Sequence, residues 1–398
     1  MAKRTRYTEL VLAGLICFLS MLSINMIGIV SICFIIFFML KTRGKIYKIK
    51  YISCLLYLFI AGFVLGIINN NPFYDVIRDS LYYLIPIATL YLGAVLYTLY
   101  NRLNPLKVFV ETVTMEILIH LFQMAGNFAT IANFSQLREY FMFLTFSVPI
   151  ALLILLDNNL SRKLKVTKNI RVTFLLVIGL YFVMSLSRIS YIMFISIFIL
   201  DVYLHMVHRS FKFGLILRVF IILVFFALGI FLMPEGTRIV FFNKITNIFT
   251  EIKTNQNWNV ITITQDWRGY ERYVGDQLFE SGTFLQKLFG FGFGKLIPVL
   301  YSQLVGVSVA AGGITLLHDG YRTVLIKCGI VGLIAYFTFF VLILFKKNKK
   351  RISEENFVLK YIALEMLIGT SVVVGFFSRA PELALLLLMG FYLKKSYN

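Results

Sequence analysis

Charged side chains are scarce in this chain, 15% of 398 residues, where a soluble globular domain carries roughly 25%. Apolar residues make up the deficit at 59%, which excludes a soluble globular protein. Acids are the scarcer sign, 19 against 39 lysines and arginines. Cysteine is limited to Cys17, Cys33, Cys54 and Cys328, all inside apolar runs. No disulfide framework and no CxxC metal or redox centre is therefore expected. A DxD acid pair, HExxH, GxSxG and the GK[ST] of a phosphate loop are also absent. Chemistry that needs a divalent metal, a serine nucleophile or a nucleotide cradle has no support, so no cofactor is expected. Nor does the chain repeat itself as matched halves with paired broken helices, the mark of many secondary transporters.

What is present is a ladder of apolar segments. A membrane-crossing helix needs about 20 such residues. The pattern predicts spans near 9–23, 25–40, 51–68, 81–99, 107–125, 140–156, 172–186, 189–206, 215–233, 317–343, 356–377 and 380–394. The expected fold is an all-α polytopic membrane protein of about twelve spans, the first two forming a short hairpin. Lys3, Arg4 and Arg6 resemble the start of a signal peptide, but no small-residue cleavage site follows, so the first run is read as an uncleaved helix. One polar stretch, 234–316, interrupts the ladder and divides the chain into spans 1–233, a large external segment, and spans 317–398.

With both termini in the cytoplasm, 26 of the 39 basic residues fall on that side and seven lie in the long segment. This is the positive-inside bias, so the net charge of +20 reports topology and not nucleic-acid binding. An Asn255→Cys substitution in a chain stripped of its four native cysteines should therefore react with an impermeant thiol reagent on intact cells. Labelling only after lysis would overturn the orientation.

Few residues outside the apolar runs could carry chemistry. Arg78, Arg138, Arg188 and Arg379 each sit in a short external turn, and Arg188 and Arg379 both follow a serine at the bundle's outer mouth. Glu116 and His120 lie one turn apart in span five, and Glu365 lies in span eleven. Each is read as a packing pair or a cleft wall. His205 and His208 are read as interfacial. His318 is the single external histidine and opens a span, with Arg322 one turn on. An imidazole titrates near neutrality, which makes His318 the leading base candidate. In the long segment Arg268 and Arg272 lie four apart with aromatics and Glu271 between them. On a helix the two guanidiniums form a fork suited to phosphate oxygens. Gly290, Gly292 and Gly294 alternate with phenylalanines and mark a backbone that must approach a helix or a substrate closely.

Ser187-Arg188, the run Leu288-Phe289-Gly290-Phe291-Gly292-Phe293-Gly294, and His318-Asp319-Gly320-Tyr321 followed by Cys328-Gly329-Ile330-Val331-Gly332 occur in this order around one long external segment. Together with the twelve spans, this resembles the O-antigen ligase and O-antigen polymerase (Wzy-type) superfamily. The resemblance implies a GT-C-like, metal-independent, inverting glycosyltransferase of the bacterial cytoplasmic (inner) membrane, with its active face extracytoplasmic. Its donor and acceptor would be undecaprenyl diphosphate-linked glycans, and a flippase and a chain-length regulator are implied partners. In that scheme Arg188, Arg268, Arg272, Arg322 and Arg379 take the diphosphate and His318 is the base, with Glu271 or Asp319 as alternatives. Ligases typically show H-x-H-N at the return helix. Here residue 316 is leucine and residue 319 is aspartate, which favours the polymerase. Ligation to lipid A core or protein is the alternative, and transport of the lipid-linked sugar, with its charges at Glu116, His120 and Glu365, is the second.

Overall fold

The computed structural model describes residues 2–41, 47–127, 143–185, 187–208, 258–300, 313–346, 353–378 and 381–396, with a few single positions between them. Regular structure among the described residues is helical, apart from one antiparallel bridge between Ile297 and Ile314. The helices run α1 (Ala2–Ser20), α2 (Ile24–Lys41), α3 (Ile52–Ile68), α4 (Phe73–Leu99), α5 (Pro105–Gly126), α6 (Ser147–Leu156), α7 (Asn158–Lys163), α8 (Lys168–Ser185) and α9 (Arg188–His208). After these come α10 (Val260–Gln265), α11 (Trp267–Glu280), α12 (Phe284–Phe289), α13 (Gly320–Leu344), α14 (Glu354–Thr370) and α15 (Leu383–Ser396). Local chemistry sets several starts. Asn104 accepts from the Lys107 amide at 3.3 Å with Pro105 opening α5, and Thr283 and Gln286 form a reciprocal cap on α12.

This is a helical membrane protein, but the twelve full-length crossings are not reproduced. Among the described residues α2, α4, α5, α8, α9 up to Val207, and α13 are long and apolar enough to cross a bilayer. The expected span 215–233 lies largely outside the described residues, as do Arg138, Arg379 and residues 243–257. Every other expected span coincides with a helix, yet several are shortened for identifiable reasons. Span six starts as α6 only at Ser147, and span eleven stops at Thr370. There the amides of Val372 and Val373 both turn back to the Gly369 carbonyl, at 3.0 and 2.8 Å, and end the regular ladder. In the opposite sense, residues 73–80 were expected in a turn but form the first turns of α4. Asp75 stands in its first turn, where the helix dipole favours an acid, and pairs with Arg78 at 2.7 Å.

The glycine-rich run of the long segment does not stay apart from the bundle. It threads between α3, α4 and α13, and Phe293 is fully buried, its ring 4.6 Å from that of Tyr83. The backbone is held on both sides. Phe291 and Gly292 donate to the carbonyls of Ile326 and Lys327 at 2.8 and 3.0 Å, and Phe293 donates to Gly62 at 2.7 Å. Those α13 carbonyls are available because the helix is broken at Gly329, whose φ is 68°. The Asn71 amide donates to the carbonyls of Phe291 and Phe293 at 2.9 and 2.8 Å. The three glycines all have left-handed φ, and a Cβ on Gly292 would sit 2.2 Å from the Gly66 nitrogen. The close approach foreseen for them is therefore to helices.

Candidate functional site

Where spans six and eleven fall short of full helices, both leave irregular backbone at one end of the bundle, and a cavity of about 240 Å³ lies there. Non-helical backbone inside a membrane protein is tolerated where it is buried or lines a cavity. Phe143, Thr145 and Phe146 come from the stretch before α6, and Val373 to Phe376 from the stretch after α14. Among the described residues, the titratable groups on its wall are His318 and Glu382. Glu382 accepts from the amides of Phe146 and Ser147 at 2.9 and 2.5 Å, satisfying free donors at the start of α6.

His318 lies in the segment leading into α13, just before Asp319, which caps that helix by accepting from the Arg322 amide at 3.2 Å. Across from it stands α11, whose own start is capped by Asp266 through the Gly269 amide at 2.8 Å. Glu271 on α11 is 2% exposed and collects three donors. The Trp267 indole reaches it at 2.6 Å, the His318 amide at 3.0 Å, and His318 Nδ1 at 2.8 Å. A ring nitrogen this close to a carboxylate carries the proton, so neutral His318 keeps its lone pair on Nε2. The His318 side chain is 45% exposed. The imidazole is thus fixed on one edge by a buried acid and accessible on the other.

The arginines divide. Arg322 donates from Nε and Nη2 to Asp276 at 2.7 and 3.0 Å, and from Nη1 to Asp319 at 2.6 Å, so its guanidinium is committed to two acids. Arg272 lies 3.6 Å from Asp319 and donates to the Ser371 carbonyl at 3.2 Å, tying α11 to the irregular stretch that walls the cavity. Arg268 is half-buried one turn earlier on the same helix. Arg188 begins α9, and Ser190 in the same turn donates to the Thr145 carbonyl at 3.5 Å, which brings that helix end to the cavity wall. Arg379 lies outside the described residues, next to the lining residue Ser378.

The site thus gathers His318, Glu271, Asp319, Arg272 and Arg322, with Arg268 one turn before Arg272 on α11, and brings the start of α9 to the same cavity. Gly290, Gly292 and Gly294 are structural and elsewhere. Glu116 and His120 do not pair. His120 stacks on the cavity residue Phe143 with ring centroids 4.4 Å apart, while Glu116 is buried on α5. Two participants escaped the sequence reading, Asp276 and Glu382. Asp276 follows Arg272 by one turn of an amphipathic helix, a spacing that could have flagged it. For Glu382, only its position before an apolar run offered any signal. No family model matches this chain, and no curated protein matches it in sequence.

Proposed function

We propose that this protein elongates a surface polysaccharide by transferring a glycan from one polyprenyl diphosphate carrier to the sugar of another. The observation that carries the reading is the Glu271–His318 pair, a buried carboxylate orienting an imidazole on a cavity wall, with Arg272 and Arg322 on the same two elements. His318 Nε2 takes the proton of the acceptor hydroxyl. The hydroxyl oxygen attacks the anomeric carbon, and the bond to the diphosphate breaks with its electron pair leaving on the phosphate. Opposite-face attack inverts the anomeric centre. Glu271 acts through His318 as a positioning residue, since its three hydrogen bonds leave it little capacity as a base. Asp319 is likewise occupied by Arg322 and Arg272.

Charge appears on the leaving diphosphate as the bond breaks, and fixed cations at that place supply the largest catalytic effect without a metal. Arg268, Arg272 and Arg188 take that role, while Arg322, spent on Asp276 and Asp319, holds the mouth of α13 in register. Replacing Arg268 and Arg272 together by lysine keeps charge but removes the two-pronged donors. Elongation of purified lipid-linked repeat units should fall roughly 10–100-fold, the equivalent of one or two charge-assisted hydrogen bonds. Unchanged elongation in that variant would reduce the pair to surface charges.

Transfer of the glycan to lipid A core or protein uses the same chemistry and is the sister reading. Transport of the lipid-linked sugar draws support from Glu365, which is wholly buried with neither carboxylate oxygen hydrogen-bonded. Alanine at Glu116, His120 and Glu365 would then abolish function, while alanine at His318 would spare it.

A further inference from the structure

The chain has two tryptophans, Trp258 and Trp267, and both lie in the long segment within one cluster of rings. Trp267 opens α11 beside its cap Asp266, and Tyr270 and Tyr273 follow on the same helix. The ring centroids of Trp267 and Tyr270 are 5.8 Å apart. Trp258, just ahead of α10, stands 5.5 Å from Tyr270 in an edge-on arrangement and 6.2 Å from Tyr273. Tyr270 is buried and fixed, its hydroxyl accepting from the Leu300 amide at 3.0 Å. Trp258, Trp267 and Tyr273 are only half-buried. Nor do these rings supply the apolar core here, which is built from Phe291, Ile297, Ile314, Leu317 and Ile326.

Trp267 is tied to the transfer chemistry through one atom. Its indole N–H and His318 Nδ1 both reach Glu271 Oε1, at 2.6 and 3.1 Å, so the two rings stand within one sugar residue's length of each other. A pyranose ring carries C–H groups on its faces and hydroxyls round its rim. Those faces pack on the electron-rich surface of an aromatic ring and leave the rim hydroxyls free. Tryptophan and tyrosine offer that surface at little cost in side-chain entropy. We propose that Trp267, Trp258 and Tyr273, backed by Tyr270, form a saccharide-binding shelf that stacks the acceptor glycan next to His318. This rests on the reading that the protein acts on a glycan, and it places the acceptor apart from the arginines assigned to the diphosphate. Anchoring in the membrane interface is the other common use of such rings. It fits less well, because the Trp267 N–H is spent on a buried carboxylate and not on headgroups.

Because both tryptophans belong to the shelf, the intrinsic fluorescence of the whole protein reports on it. Full-length protein in detergent is titrated with oligosaccharides released by mild acid from the surface polysaccharide of the source cells, with calorimetry in parallel. Wild-type emission should change saturably, with the same midpoint as the heat of binding. Trp267→Leu should weaken saccharide binding and raise KM for the acceptor about tenfold, the size of one lost aromatic contact. Trp258→Leu should weaken binding as well. Trp267→Phe keeps a stacking face but not the indole N–H, so it should retain most of the affinity while kcat falls. Wild-type emission unmoved by saccharide would overturn the shelf, as would full affinity in both leucine variants, and in either case the transfer reading stands or falls on its own elongation assay. Emission quenched by lipids brominated on their acyl chains, yet indifferent to saccharide, would make the rings a membrane belt and also overturn it. Saccharide bound through these rings by a protein that never elongates the glycan would support the shelf and remove the polymerase reading.

Discussion

Replacing His318 by alanine is expected to lower the rate of glycan elongation by about 10²–10⁴-fold, the usual contribution of a positioned base, while leaving binding of the lipid-linked donor intact. His318→Gln should not rescue the rate, because an amide can hydrogen-bond at the same place but cannot accept the proton. Glu271→Gln separates orientation from proton transfer. Glu271 holds Nδ1 at 2.8 Å and the His318 amide at 3.0 Å. An amide there can still accept, but it no longer stabilises the imidazolium formed as the proton moves. Turnover in this variant should therefore fall while binding of the lipid-linked donor is kept, and the Glu271→Gln, His318→Ala double variant should be no slower than His318→Ala alone. A His318→Gln variant making polymer of normal length at normal rate would remove His318 from the proton path.

The second large effect concerns stability. Lys327 and Asp79 form an ion pair at 2.6 Å with both side chains completely enclosed. Asp79 also accepts from the Gly294 amide at 2.8 Å, and Lys327 donates to the Lys295 carbonyl. The pair thus pins the end of the glycine-rich run to α4 and α13 together. Lys327→Met should destabilise the protein by about 3–5 kcal/mol, because the Asp79 carboxylate is left buried without its counter-charge. The double variant Asp79→Leu, Lys327→Met should recover much of that loss, since no unpaired charge remains. Thermal unfolding in detergent measures both. A single Lys327→Met variant that unfolds within about 1 kcal/mol of wild type would show that water reaches the pair.

Much of the helical ladder follows from the chain alone, because twenty apolar residues in succession have few stable arrangements other than a helix whose backbone bonds are satisfied internally. The same holds for the glycine alternation at 290–294, where a left-handed backbone needs residues without a side chain. His318 and Arg272 could be selected by residue type and isolation in an otherwise apolar sequence. What the chain does not disclose is where the helices stop. Residues 143–146 and 371–378 are as apolar as their neighbours, yet they unwind because Glu382 caps α6 from across the bundle and Gly369 draws back the Val372 and Val373 amides. Nor could hydropathy show that Asp79 and Lys327, 248 positions apart, neutralise each other, or that Glu271 lies under His318. Those pairings are decided by packing. A buried charge is stable only where the fold delivers its partner, and that partner can come from anywhere along the chain.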